Sequence, residues 1–254
     1  MSIHKYKLIE RITQGSFGKI YKGIHTRTKE LVAIKTEPRS DVNSLKHEAR
    51  IYQYLSDVQG VPPLKWFGAD DIHLYLVIPL YKENLLTRRK RLGHFSIDQT
   101  IVLSKSILSI LKEIHKKGMV HCDIKPDNFL VDNDDIRQVY IIDFGFTRRY
   151  SPDRQKKRAS IGTPNYMSRR VHDRFEPGYY DDIESLFYVL LFLHFKKLPW
   201  DKPSYTLNNI ATLKHKLMDV SGTLPTFFSH FVENINRSHN TNIPDYHKLD
   251  NLVN

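Results

Sequence analysis

The run His121-Cys122-Asp123-Ile124-Lys125-Pro126-Asp127-Asn128, followed by Asp143-Phe144-Gly145, is the strongest constraint on how this chain folds. Taken alone, either stretch reads as a loop or a turn. In this order and at this separation they supply what phosphoryl transfer requires, provided that the fold brings them together. Asp123 can orient a substrate hydroxyl and accept its proton, while Asn128 and Asp143 can hold magnesium ions that bridge nucleotide phosphates. Lys125 adds a cation beside the group being transferred.

The pattern before this run predicts a sheet. Tyr6-Lys7-Leu8-Ile9, Gly18 to Gly23 and Leu31-Val32-Ala33-Ile34-Lys35 read as strands separated by polar turns. Asp41 to Leu55 changes to helical spacing, with Leu45, Tyr52 and Leu55 on one face. Glu48 lies on that same apolar face, and an acid facing a core costs several kcal/mol unless a cation meets it. Lys35, at the end of an apolar strand, is the expected cation. Leu74 to Ile78 is a further strand, stopped by Pro79.

Beyond Pro79 the pattern is mostly helical. Ile101 to His115 carries one apolar stripe of Leu103, Ile107, Ile110, Leu111 and Ile114, with Gly118 as its expected cap. Asp182 to His194 is apolar nearly all round, as a central helix would be. The expected fold is α+β and two-lobed: an antiparallel β-sheet lobe with one helix, about residues 1–80, then a mainly helical lobe, about residues 81–254. Both belong to one domain, with no internal repeat, low-complexity segment or regulatory tail.

Composition narrows the classes. The 254 residues suffice for a sizeable core. The most apolar run, Ser185 to Phe195, ends in Lys196-Lys197 and is too short to span a membrane. The N-terminus lacks the pattern of a secretory signal, so the protein is expected inside the cell, in cytoplasm, nucleus or both. Cys122 is the single cysteine, which excludes an intrachain disulfide and a thiolate-clustered zinc site. A formal charge of +11 favours acidic partners: phosphorylated or carboxylate-rich proteins, or nucleic acid. A monomer is the default expectation.

Over nearly its whole length the chain resembles the protein kinases. Thr13-Gln14-Gly15-Ser16-Phe17-Gly18-Lys19-Ile20 is similar to their glycine-rich loop, Val32-Ala33-Ile34-Lys35 to their nucleotide-binding lysine strand, and Glu48 to its helix partner. Within the kinases it most resembles the casein kinase 1 family. That resemblance rests on Asp123 to Leu130, Asp181-Asp182-Ile183-Glu184-Ser185-Leu186, Leu198-Pro199-Trp200, Gly162-Thr163-Pro164-Asn165 with Tyr166, and Ile243-Pro244-Asp245-Tyr246.

The resemblance implies ATP- and Mg2+-dependent phosphorylation of serine or threonine. Lys35, held by Glu48, would bind the α- and β-phosphates, Asp143 and Asn128 would hold the metal, Asp123 would accept the hydroxyl proton, and Lys125 would steady the γ-phosphoryl group. Gly15, Ser16, Phe17 and Gly18 would cover the phosphates. Adenine would lie between Ile12, Ile20 and Ala33 above and Leu130 below, with Ile78 at the rear. The carbonyl of Pro79 and the N–H of Tyr81 would meet its polar edge.

Several positions depart from that pattern. Thr13 replaces the first loop glycine, and Cys122 replaces the arginine that reads loop phosphorylation in most kinases, implying an enzyme without that switch. Cys122 itself reads either as a reactive thiol or as a passive small residue. Residues 143–177 hold nine Lys or Arg against four Asp or Glu. This is either a solvated basic face or an anion site for acidic or phosphorylated substrates, through Arg154, Lys156, Lys157 and Arg158 with Arg169 and Arg170. Tyr179-Tyr180 replaces an arginine pair that the family uses near that site. Arg88-Arg89-Lys90-Arg91 reads as an exposed helix face, or else as an import signal or nucleic-acid contact. Two rivals to an active kinase are a pseudokinase scaffold and a nucleic-acid-binding protein. The complete set Lys35, Glu48, Asp123, Lys125, Asn128 and Asp143 argues against both.

Overall fold

A computed structural model of the chain describes residues 2–15, 18–40, 43–152, 161–195, 197–219, 221–238 and 244–251. They build two lobes, as the pattern predicts. The first is a six-stranded antiparallel sheet of β1 (Ser2–Ile3), β2 (Tyr6–Gly15), β3 (Gly18–His25), β4 (Leu31–Pro38), β5 (Trp66–Ala69) and β6 (His73–Pro79), in the order β1-β2-β3-β4-β6-β5. Alternation along β4 decides what each face does. Val32, Ile34 and Thr36 are buried on one face, where Val32 and Ile34 join Ile3, Tyr6, Tyr75 and Val77 in a small core. Ala33 and Lys35 lie on the other face and are half-buried.

The β2–β3 hairpin closes at the pair Gly15 and Gly18. Gly18 has φ +128°, and a Cβ there would lie 2.0 Å from the Thr36 carbonyl oxygen, so only glycine fits. Helix α1 spans Ser44–Tyr54, and it starts later than the spacing predicts because an acid from the sheet caps it there. The Glu37 carboxylate accepts the N–H groups of Ser44 (3.2 Å) and Leu45 (2.7 Å), satisfying donors that a helix start leaves open. Asp41 and Val42, predicted as its first turn, lie outside the described residues.

The second lobe begins with β7 (Glu83–Asn84), α2 (Leu85–Leu92) and α3 (Ile97–Lys116), followed by the short strands β8 (Met119–Val120), β9 (Phe129–Val131), β10 (Val139–Ile141) and β11 (Arg148–Arg149). Then come α4 (Arg169–His172), α5 (Tyr179–Phe195), α6 (Leu207–Asp219), α7 (Thr226–Ser238) and α8 (Tyr246–Asn251). Ser96 and Gln99 form a reciprocal capping box at the start of α3, and its stripe of Leu103, Ile107, Ile110, Leu111 and Ile114 is buried. Gly118, at φ +75°, donates its N–H to the His115 carbonyl and ends the helix. Every residue of α5 from Tyr179 to Leu193 is buried, which is why its sequence shows no polar face. One apolar cluster runs through both lobes, from Leu45, Tyr52 and Ile78 to Leu111, Phe187 and Phe231. Among the described residues no helix is long and apolar enough to cross a membrane.

The basic run on α2 is only in part the exposed face that its sequence predicts: Lys90 and Arg91 are exposed, and Arg89 is half-buried. Arg88 is 1% exposed, with Nε 3.0 Å from Glu83 Oε1 and Nη2 donating to the Asn133 carbonyl. Arg91 pairs with Glu83 at 2.6 Å, and Arg89 lies over the Phe192 ring. Glu83, on β7 beside the helix, draws one of the four cations inside and pairs with a second at the surface.

Candidate active site

Lys35 stands on the open face of β4, opposite Ile20 on one neighbouring strand and Leu76 on the other. Its Nζ lies 2.7 Å from Glu48 Oε2 and 2.8 Å from Asp143 Oδ1. One ammonium thus ties the sheet, α1 and the Asp143-Phe144-Gly145 turn together. Burial pulls the Lys35 pKa down, but the two carboxylates outweigh it and hold it above the ordinary lysine range. Burial likewise opposes ionisation of Asp143, yet Lys35 keeps its carboxyl below the usual range. The acid on the apolar face of α1 meets the predicted cation.

The turn is held by its hydrophobic neighbour. Asp143 has φ +67°, an unusual conformation that an aspartate tolerates better than most residues. Phe144 is fully buried, packed edge-on against Tyr52 of α1 at 4.8 Å and near His121 at 5.3 Å. The Asp143 N–H points to the Tyr52 hydroxyl at 3.4 Å, and His47 Nε2 lies 2.6 Å from the Thr147 carbonyl. Helix α1 therefore grips the segment on both sides of Phe144.

Asp123 is only 3% exposed, and every one of its carboxylate contacts is accounted for by nearby donors. Oδ2 receives Lys125 Nζ at 2.5 Å, and Oδ1 receives the Thr163 N–H at 2.9 Å and hydroxyl at 2.8 Å. Asn128 Nδ2 donates to the Asp123 carbonyl at 2.9 Å. Beneath this loop, the α5 residue Asp182 accepts the N–H groups of His121 (2.7 Å) and Cys122 (2.9 Å) on its two oxygens. These two bonds to an ionised group offset the cost of φ +70° at Cys122, of order 1–2 kcal/mol. His115 Nε2 reaches Asp182 at 3.0 Å, and the Tyr246 hydroxyl of α8 meets His115 Nδ1. A chain of side chains thus runs from α8 to the loop that carries Asp123.

The Cys122 thiol points to the Val120 carbonyl at 3.4 Å, and burial pushes its pKa well up, with Asp182 adding to the rise. Cys122 is half-buried, and its raised pKa favours the passive reading of this residue over the reactive one.

The donor set fits magnesium. Asn128 commits its amide nitrogen to Asp123 and leaves its oxygen for a cation, and Asp143 offers a second hard oxygen ligand. Two protein ligands suffice for an ion that completes its shell with phosphates and water. Among the described residues no group of three His, Cys, Asp or Glu could hold a metal instead.

The residues expected around adenine are spread over β2, β3, β4, β6 and β9 and the connection after β6. Ala33 faces Ile78 across β4 and β6, Pro79 ends β6 opposite Val32, and Leu130 sits on β9 beside Asn84. Ile12 is exposed, Ile20, Ala33 and Leu130 are half-buried, and Ile78 is buried. The Tyr81 ring packs on Tyr140 at 4.4 Å. Ser16 and Phe17 lie outside the described residues.

The expected anion site is partly overturned. Arg169 is not available to a substrate: it is 8% exposed, and its backbone N–H (2.8 Å) and Nε (3.1 Å) both bind Glu184 Oε1 on α5. Arg170 stacks over Phe175 at 4.7 Å. Arg154, Lys156, Lys157 and Arg158 lie outside the described residues, as does Ile243. Tyr179, in place of an arginine, stacks on Tyr150 at 4.3 Å. Arg148 pairs with Glu176 at 2.9 Å. Thr163 and Asp182 appear in the sequence only as members of short motifs, and nothing in a single chain assigns them to Asp123 and its loop.

Comparison with known proteins decides the family. The family model described as the protein kinase domain matches residues 6–243. The chain belongs to the protein kinase family. Among curated proteins, this kinase is 36% identical over 208 residues to "Casein kinase I homolog 1" of Schizosaccharomyces pombe, a match covering 77% of this chain and 46% of that protein. It is 33% identical to "Casein kinase I homolog RAG8" of Kluyveromyces lactis, over 98% of this chain and 50% of the relative. It is 31% identical to "Casein kinase I homolog 2" of Schizosaccharomyces pombe, over 97% and 61%. The kinase chain thus spans about half the length of the curated relatives it matches.

Proposed function

We propose that this chain transfers the γ-phosphate of ATP to serine or threonine of acidic or phosphorylated proteins. The observation that carries the reading is the Lys35 ammonium bound at once to Glu48 and Asp143, with Asp123 held among Lys125, Asn128 and Thr163. A pseudokinase has no need of all these groups in place. Lys35 binds the α- and β-phosphates. When bound, magnesium neutralises phosphate charge as it moves towards the leaving oxygen. Asn128 and Asp143 would hold it. Asp123, fixed from both sides, orients the hydroxyl and takes its proton late, in a loose transition state where positioning outweighs basicity. Lys125 steadies the transferred group.

Acidic substrates are favoured by the charge of +11 and by the likeness to proteins named casein kinase I. Labelled ATP offered with casein, an acidic serine peptide, its phosphoserine-primed form and a neutral peptide tests this reading. Label should enter serine or threonine of the acidic targets first. No transfer to any of them would leave a scaffold, and salt-sensitive nucleic-acid binding without transfer would favour the nucleic-acid reading.

Gly162 should be intolerant of change. It has φ +99°, and an added Cβ would sit 2.6 Å from the Cys122 carbonyl oxygen, next to Thr163 and Asp123. Gly162→Ala is expected to lower kcat at least about tenfold and stability by about 1–3 kcal/mol, read by initial rates and urea unfolding. Wild-type kcat would mean that the turn relaxes without moving Thr163.

A further inference from the structure

Lys214 of α6 is fully buried, and the chemistry described above does not use it. Its Nζ donates to the carbonyls of Pro164 (2.8 Å) and Met167 (2.5 Å) and lies 3.2 Å from His172 Nε2. Burial pushes the His172 pKa down to about 4, so its ring is neutral at physiological pH, and its Nε2 also lies 3.2 Å from the Pro164 carbonyl. The rings of Tyr188 and Trp200 flank Lys214 Nζ at 4.6 and 5.1 Å. None of the groups that Nζ meets is a carboxylate. The nearby acid, Glu184, is taken by Arg169 and the Tyr188 hydroxyl. Burial holds the Lys214 pKa well below the ordinary lysine range, and a methionine would fill the same space without the cost of burying a polar amine.

What the Lys214 amine holds gives it a use. Residues 163–167 turn back on themselves, with the N–H groups of Tyr166 and Met167 on the Thr163 carbonyl at 2.9 Å each. That leaves the carbonyls of Pro164, Asn165 and Met167 facing away from the turn. Lys214 takes the first and third, and Trp200 Nε1 takes the Asn165 carbonyl at 2.9 Å. The start of the same segment, Thr163, binds Asp123 through both its N–H and its hydroxyl. Thr163 thus ties this segment to the carboxylate that would meet a substrate hydroxyl.

We propose that Lys214 is a positioning residue for the protein substrate: from inside the helical lobe it sets the shape of residues 163–167 and, through Thr163, the orientation of Asp123. The inference rests on the kinase reading only for its kinetic consequence. Lys214→Met keeps the volume and removes the donors. Lys214→Arg keeps donors at this position but presents them in a flat fork that does not match the two divergent carbonyls. In the full chain without ligand, amide hydrogen exchange at Tyr166 and Met167 should quicken about tenfold or more in Lys214→Met and less in Lys214→Arg, while amides of α3 and α5 keep their wild-type rates. With substrate, KM for an acidic peptide should rise about tenfold, with KM for ATP within about twofold of wild type. Wild-type exchange at 166 and 167, or equal acceleration across α5, overturns the proposal. If Lys214→Met does not fold, the Arg variant decides by the same measures. Should the wild type transfer no phosphate at all, the exchange result still decides the role of Lys214, and only the kinase reading falls.

Discussion

Asp143→Asn is expected to reduce phosphate transfer by about 10³-fold, or about 4 kcal/mol of barrier, with little change in stability. Asparagine has the same shape and also tolerates the φ of +67° that Asp143 adopts, so the turn should keep its form. The change is therefore one of charge. An anionic ligand for the metal is lost, and Lys35 keeps Glu48 at 2.7 Å but loses the second carboxylate that fixes its direction towards the phosphates. Phe144 remains buried against Tyr52, so α1 stays docked. Initial rates on an acidic peptide would show the loss. Thermal melts would show a nearly unchanged midpoint for the free protein, with the upward shift caused by Mg-ATP reduced or gone. A variant that matches wild-type rates would remove Asp143 from the mechanism and the kinase reading with it.

The parts of this molecule that could be read from the sequence are those in which local pattern and chemistry agree. Lys35 and Glu48 were legible because an acid on the apolar stripe of a helix needs a cation, and one apolar strand ends in lysine. Helix α5 was legible because burial on all sides removes every polar position but those near its start. The polar residues at that start, Asp181, Asp182 and Glu184, were visible only as a motif. Their partners lie far along the chain and on other elements: Ser168 for Asp181, two backbone N–H groups of the 121–122 loop for Asp182, and Arg169 for Glu184. Charge counting failed for the same reason. A run of arginines looks uniformly solvated until a carboxylate such as Glu83 or Glu184 arrives from elsewhere and draws one inside.

Arg169 and Glu184 are also where the largest loss of stability is expected. Glu184 Oε1 accepts the Arg169 N–H, its Nε and the Tyr188 hydroxyl, and both charged side chains are nearly sealed from water. Glu184→Gln removes the carboxylate that meets the buried Arg169 guanidinium, a change that costs about 3–5 kcal/mol and lowers the melting temperature by roughly 10 °C in a protein of this size. Burial alone would raise the Glu184 pKa, but Arg169 outweighs it and holds the carboxyl below its ordinary value. An acid depressed in the folded state stabilises fully above its unfolded pKa, about 4.5, and the contribution fades as pH falls through the lower folded value. The stability gap between wild type and Glu184→Gln should therefore be widest at neutral pH and narrow in acid. Removing both charges separates stability from positioning. In Arg169→Met with Glu184→Leu, apolar packing can replace the pair at little net cost, because two ions no longer have to leave water. The same double variant loses the bonds that fix the start of α4 beside the Pro164–Met167 segment. If it unfolds like the wild type in urea yet shows a raised KM for the peptide, the ion pair serves to shape that segment. If both stability and KM stay at wild-type values, the pair is only one of several ways to fill that part of the core.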